Sequence, residues 1–114
     1  FPGVSLGSKY SSDHAPAFIK GDPPKRYLSM YPFIKTHEWY QLPFEERRSA
    51  MAEHGRMGRE YPDILTNTVS SFGISDWEFV VAFESDDVGE MVRMVEYLRP
   101  AASRPVSTRP STFL

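Results

Sequence analysis

The hydrophobic pattern of this chain changes its period in a fixed order, and that order constrains the fold more than any other feature. "RYLSMYPFIKT" (26–36) alternates as a strand does and is rich in aromatic residues. A spacing of three to four then predicts a helix over 43–61, and the residues that follow this spacing are Phe44, Arg47, Met51, His54, Gly58 and Tyr61. "ILTNTVSSFG" (64–73) and "DWEFVVAFES" (76–85) predict two strands joined by a turn at 73–76.

A second helix is predicted from Asp86 and Asp87 to Pro100, with one apolar face formed by Val88, Met91, Val92, Val95 and Leu98. The tail "SRPVSTRPSTFL" has room for a last edge strand, although its prolines limit pairing. The order strand–helix–strand–strand–helix–(strand) indicates an α+β fold of the ferredoxin-like type, an antiparallel sheet with two helices on one face. The other face needs cover, so we expect a second sheet from a partner domain.

Composition divides the chain and excludes several classes of protein. Residues 1–25 are rich in Gly, Ser and Pro and predict an extended loop before a single domain over 26–114. A net charge of −2 argues against a nucleic-acid partner. No apolar run is long enough for a membrane span, and no signal peptide is visible. The absence of cysteine excludes disulfides and thiolate sites and favours a reducing cytoplasm.

A histidine beside two glycines, in "AMAEHGRMGR" (50–59), is the feature of the first helix that needs an explanation. Each glycine costs roughly 1 kcal/mol of helix stability relative to alanine. A hydrogen-bonded, half-buried histidine without chemistry is the commoner reason for finding His54 there. The alternative is an axial metal or haem ligand, because Gly55 and Gly58 keep side chains away from the imidazole and allow a flat macrocycle to approach.

Other candidate residues are ordinary when each is considered alone. His14 lies in the predicted loop, where a histidine is usually exposed but is also able to act as a general base. Tyr31 and Trp39 are by default packed aromatic residues, and Lys35 is by default a surface lysine. The spacings provide no phosphate-binding loop, no pair of hydrolytic carboxylates and no Ser-His-Asp arrangement. It is the combination of these residues that indicates a function.

The segment "YPFIKTHEWYQLPFEERRSAMAEHGRMGREYPDILTNTVSSFG", followed by "DWEFVVAFESDD", resembles the C-terminal half of the chlorite dismutase-like haem family. Its Trp-Tyr-x-Leu-Pro-x-Glu-Glu-Arg-Arg and His-Gly-x-x-Gly-Arg patterns most resemble those of the coproheme decarboxylases. The opening "FPGVSLGSKYSSDHAPAFIKGDPPK" is similar to the actinobacterial type. The resemblance covers most of residues 1–100 and implies a domain that forms one half of a dimeric α+β barrel.

The resemblance assigns roles residue by residue. His54 matches the proximal ligand of the haem iron, Tyr31 matches the catalytic tyrosine that forms a radical, and His14 matches the distal histidine that deprotonates hydrogen peroxide. Further positions match residues close to the macrocycle or its propionates, and these are Lys35, Trp39, Arg99 and Ser103. Asn67, thirteen positions after His54, is a further candidate for cofactor binding. It takes the position at which chlorite-dismutating relatives have an arginine, which disfavours chlorite as the substrate.

The resemblance implies that coproheme (iron coproporphyrin III) is both the substrate and the redox cofactor. Hydrogen peroxide would oxidise the iron, and a radical at Tyr31 would take a hydrogen from a propionate. Loss of carbon dioxide would leave a vinyl group, and two such rounds give haem b. Family members are about twice as long and pentameric, so we expect a piece of a longer, homo-oligomeric protein. The alternatives are a chlorite dismutase-like haem peroxidase and a haem-binding module without turnover.

Overall fold

Four antiparallel strands form one sheet in the computed structural model, which describes residues 2–6 and 15–101 together with the backbone of 107–108. The order in the sheet is β2-β3-β1-β4, with β1 and β3 at the centre. This order is the ferredoxin-like one and confirms the fold class predicted from the sequence. The strands are β1 Tyr27–Lys35, β2 Leu65–Ser70, β3 Phe79–Ser85 and β4 Ser107–Thr108.

In the residues that the structure describes, four helices accompany the sheet: α1 Ala17–Lys20, α2 His37–Gln41, α3 Phe44–Gly58 and α4 Val88–Tyr97. Helix α3 begins after Pro43, and two glutamates in its first turn favour the positive end of the helix dipole. Helix α4 is capped by Asp87, whose carboxylate accepts a hydrogen bond from the Glu90 N–H at 3.3 Å, and such caps stabilise by about 1 kcal/mol. In the described part of the chain, no helix has the length and apolar character needed to cross a membrane.

The main core lies between the helices and one face of the sheet. Met91, Met94 and Leu98 of α4 are buried there with Ile64, and half-buried neighbours pack against them: Met57, Tyr61, Phe83 and Val95. The prediction that Val88 and Val92 belong to this apolar face is wrong, since Val88 is 49% exposed and Val92 is 63% exposed. At 100° per residue they lie about 60° and 100° around the helix from Met91, outside the stripe that meets the sheet.

The strand register decides which residues face the helices. Tyr31 is paired with Val81, and Phe33 with Phe79. Because strand residues alternate between faces, these residues share one face with Phe83, which packs against the core. We call this the helix side of the sheet. The opposite face, the far side, carries Pro32, Val80 and Asn67.

Two described parts of the first 25 residues, which the sequence predicts to be an extended loop, form regular structure. Within this segment, α1 forms one helical turn that ends at Gly21, whose φ of 82° is the left-handed conformation that glycine adopts readily. Val4 forms a bridge to Ser70, beside β2. At the other end of the chain, the edge strand β4 pairs with Ile34 and Lys35 of β1.

Candidate functional site

Tyr31 and Lys35, two of the predicted site residues, lie four positions apart in β1 and therefore on the same face of the sheet. This face is the helix side, because the Tyr31 ring lies 6.2 Å from the ring of Phe83, measured between centroids. Both residues are half-buried. The middle and the last residue of β1 thus lie on the helix side, one with a phenol and the other with an ammonium group.

His54 is on the same side of the sheet as Tyr31. It is half-buried in α3, and Met57 follows it by three residues. Residues three apart are neighbours on one side of a helix, and Met57 packs against the same core cluster as Phe83 of the helix side. The helix that carries His54 and the strand positions of Tyr31 and Lys35 therefore lie on the same side of the sheet.

Helix α3 carries an open stripe that includes His54. Arg47, Met51, His54 and Gly58 recur at spacings of four, three and four, so they follow one line along the helix. A Cβ added at Gly58 would meet no described atom within 4 Å, and one added at Gly55 would meet only Arg59 Nη1, at 3.9 Å. The two glycines are therefore not required by tight packing between protein elements. They leave space beside the imidazole.

Arg47 is a candidate that sequence reasoning did not select. Its guanidinium lies 5.8 Å from the centroid of the Phe44 ring, and its Nε is buried without a hydrogen-bond partner in the described part of the chain. A buried donor without a partner is costly, and a carboxylate is the group that best satisfies a guanidinium. The signal was present in the sequence, because Arg47 shares the helical spacing of His54.

Lys35 and Trp39 form a contact pair at the end of β1. The Lys35 Nζ lies 4.3 Å from the centroid of the Trp39 indole, a cation–π geometry. Trp39 is only 3% exposed, and its backbone N–H is 3.4 Å from the Thr36 hydroxyl that caps α2. Two of the four residues predicted to lie near the macrocycle or its propionates are thus in contact, and the indole is the buried one.

Asn67 is not part of this group. It is buried on the far side of the sheet, where its Oδ1 accepts from the Phe18 N–H at 2.9 Å. Its Nδ2 donates to Glu84 Oε2 at 2.8 Å and to the Ala82 carbonyl at 3.3 Å. Counting from His54 along the chain identified the position, but the strand register turns its side chain away from Tyr31. In this structure the side chain of Asn67 links α1 to the sheet by hydrogen bonds to both.

Two of the remaining predicted site residues, His14 and Ser103, lie outside the described residues. Arg99 is exposed and follows the C-terminal cap of α4. Within residues 2–6 and 15–101, no three His, Cys, Asp or Glu side chains come together as a metal site.

A family model described as chlorite dismutase matches residues 1–114. Among curated proteins, the coproheme decarboxylase of Mycolicibacterium smegmatis is 39% identical over 97 residues, which are 85% of this chain and 42% of that protein. A solved structure described as a novel heme-binding protein from Thermus thermophilus is 30% identical, with a TM-score of 0.70 over 75% of this chain and 36% of that one.

A chlorite dismutase variant from Candidatus Nitrospira defluvii has a TM-score of 0.81, covering 94% of this chain and 48% of that chain. At 24% identity this likeness concerns the fold alone. The chain spans less than half the length of each of these three relatives.

Proposed function

Because this chain belongs to the chlorite dismutase family, we propose that it binds coproheme on the helix side of its sheet. We propose further that it carries the residues for the peroxide-dependent decarboxylation of coproheme to haem b. The observation that carries this proposal is the open stripe of α3, where His54 has space beside Gly58 and lies on the same side of the sheet as Tyr31. The identity of 39% to a coproheme decarboxylase supports the choice of substrate.

The residues present fit an iron porphyrin with propionate groups. A single imidazole suits an axial ligand, and the absence of described atoms within 4 Å of a Cβ at Gly58 suits a flat ring. Arg47 Nε is a buried donor without a partner in the described part of the chain, and Lys35 contributes a second cation on the same side. Cationic groups of this kind hold carboxylates by charge-assisted hydrogen bonds.

In the proposed mechanism, coproheme supplies the redox-active iron and the propionates that lose carbon dioxide. His54 would hold the iron through one imidazole nitrogen. Lys35 and Arg47 hold propionate carboxylates, which fixes the side chain that reacts. Each round would be a two-electron oxidation, in which hydrogen peroxide and a proton are consumed, the propionate becomes a vinyl group and carbon dioxide, and peroxide is reduced to two molecules of water. The Tyr31 phenol would give a proton and an electron to the peroxide-oxidised coproheme and regain a hydrogen atom from the propionate, which would lose its second electron to the same oxidant as carbon dioxide leaves. By resemblance to the family, His14 takes the proton from hydrogen peroxide, and the buried indole of Trp39 excludes water.

Chlorite dismutation is the second enzymatic candidate, and one observation argues against it. The family uses an arginine at the position of Asn67 for that reaction. Here the side chain at this position is buried on the far side of the sheet, in hydrogen bonds to Phe18, Ala82 and Glu84. We therefore favour decarboxylation over a chlorite dismutase-like peroxidase activity.

The assembly and the compartment are also part of the proposal. On the far side, Leu28 is 63% and Met30 is 50% exposed, and these residues form an apolar strip on a central strand. Such a strip is typical of a surface that another element covers. We propose that a second ferredoxin-like half covers it, that the whole is a homo-oligomer, pentameric by family resemblance, and that it acts in the cytoplasm.

The experiment adds ferric coproheme and then hydrogen peroxide, and it follows the porphyrin by mass spectrometry. The proposal predicts the stepwise loss of two carboxyl groups. Binding without any loss of mass would instead assign the non-catalytic alternative, a haem-binding module.

His14→Ala is expected to slow the peroxide step more than any other step of the reaction. A normal rate of peroxide consumption in that variant would contradict the role of His14 as a base.

A further inference from the structure

The carboxylate of Glu78 joins the two elements that carry Lys35 and Trp39. Its Oε1 accepts a hydrogen bond from the Lys35 backbone N–H at 2.9 Å and another from the Tyr40 hydroxyl at 2.6 Å. Lys35 is the last residue of β1, and Tyr40 belongs to α2, next to Trp39. One oxygen atom therefore ties the end of the strand to the short helix that follows it.

The backbone of Glu78 is itself held to β1. Its N–H lies 3.3 Å from the Phe33 carbonyl oxygen, one position before β3 begins. The carboxylate thus projects from a fixed point and not from a free loop. Between Lys35 and α2 the chain turns within one residue, Thr36, so the relative placement of strand and helix depends on the contacts that cross this turn.

We propose that Glu78, together with Tyr40, is a positioning residue that sets the Lys35–Trp39 pair. Its Oε1 accepts hydrogen bonds from both the Lys35 backbone N–H and the Tyr40 hydroxyl, so the end of β1 and helix α2 are held together. This fixes the Lys35 ammonium over the indole of Trp39, at 4.3 Å from the ring centroid. As a consequence, the Lys35 side chain on the helix side of the sheet is restricted to one orientation. This inference rests on the proposed function, because it gives the pair the task of holding a propionate of coproheme.

The hydrogen bonds of Glu78 are separable from core packing. Tyr40 is 37% exposed and Glu78 is half-buried, so neither side chain fills the main cluster around Met91 and Met94. Truncation of Glu78 should therefore alter the placement of α2 without opening a core cavity. Because both donors bond to Oε1, glutamine at position 78 retains an equivalent acceptor, whereas alanine removes it.

The chain contains a matched control. The Tyr97 hydroxyl donates to Glu60 Oε2, also at 2.6 Å, and this bond raises the pKa of Tyr97 above its ordinary value. This pair has the same chemistry as Tyr40 and Glu78, but it joins the end of α4 to the segment after α3. Glu60→Ala therefore removes a comparable bond far along the chain from Lys35 and Trp39.

The test has one readout that needs no coproheme. The chain has two tryptophans, so Trp77→Phe leaves Trp39 as the only indole. In this background, acrylamide quenching should be weak, because Trp39 is 3% exposed. Quenching should increase in Glu78→Ala and, to a smaller extent, in Tyr40→Phe. It should stay at the background level in Glu78→Gln and in Glu60→Ala.

The second readout is the affinity for ferric coproheme, measured by absorbance titration. We expect binding weakened about tenfold in Glu78→Ala, near-normal binding in Glu78→Gln, and no change in Glu60→Ala. Unchanged quenching and affinity in both Glu78→Ala and Tyr40→Phe would overturn the inference, and so would a glutamine variant as impaired as the alanine variant. If the unaltered chain bound no coproheme, the proposed function would fail, while the quenching series would still test the geometry.

Discussion

Filling the open stripe of α3 should stabilise the protein and weaken its binding of coproheme at the same time. In Gly58→Ala, the new Cβ meets no described atom within 4 Å, and the backbone there is helical. Replacing a helical glycine by alanine stabilises by about 0.5–1 kcal/mol. For a chain of this size, that gain corresponds to a rise in Tm of about 2–6 °C.

The same methyl group would stand where the proposed macrocycle approaches His54. Overpacking of a well-fitted contact costs about 1–3 kcal/mol, which is about a 5- to 150-fold loss of affinity. Urea or thermal denaturation of the apo chain gives the first quantity, and titration with ferric coproheme gives the second. A variant that is more stable and still binds coproheme as tightly as the unaltered chain would refute the idea that the macrocycle lies against Gly58.

A second glycine provides the control with the opposite sign. Gly73 lies in the turn between β2 and β3 with φ of 79°, a conformation that is unfavourable for residues with a Cβ. Gly73→Ala should therefore destabilise the chain by about 1–2 kcal/mol and leave the affinity for coproheme unchanged. If its affinity fell as much as that of Gly58→Ala, loss of binding would not report on the α3 stripe.

Three further substitutions test separate parts of the account. Tyr31→Phe should bind coproheme normally but stop decarboxylation. If mass spectrometry showed that this variant still converts the porphyrin completely, the phenol would be excluded from the reaction. Arg47→Met should leave the free energy of unfolding unchanged or raise it, because it removes a buried donor without a partner in the described part of the chain. The same substitution should weaken the binding of coproheme, and unchanged affinity would contradict the proposal that Arg47 holds a propionate carboxylate. Asn67→Leu should lower the free energy of unfolding, measured by urea denaturation, by about 1–3 kcal/mol because the Phe18 N–H loses its acceptor. An unchanged free energy would show that the hydrogen bond between Phe18 and Asn67 does not contribute to stability.

The order of the strands and of the two long helices, α3 and α4, was predictable because it follows from local periodicity, whereas the short helices α1 and α2 were not predicted. The rotation of α4 was not predictable. Val88 and Val92 fit an apolar stripe in the sequence, but the side of the helix that meets the sheet depends on its neighbours, and these select Met91, Met94 and Leu98.

The candidate site shows the same division between local and tertiary information. Tyr31 and Lys35 share a face because they are an even number of positions apart on one strand, which the sequence indicates directly. The face of Asn67 depends on the pairing of β2 with β3, which counting from His54 does not give. Glu78 has a role only through contacts with residues 43 and 38 positions away, so no local pattern pointed to it.

The most direct test of the central claim is the absorbance titration of ferric coproheme into this chain and into His54→Ala. The account predicts a Soret band shifted on binding in the unaltered chain, much weaker binding in the variant, and recovery of the spectrum when imidazole is added to the variant. An identical spectrum and affinity in His54→Ala would contradict the assignment of His54 as the iron ligand, and with it the proposal that the helix side of the sheet holds the porphyrin.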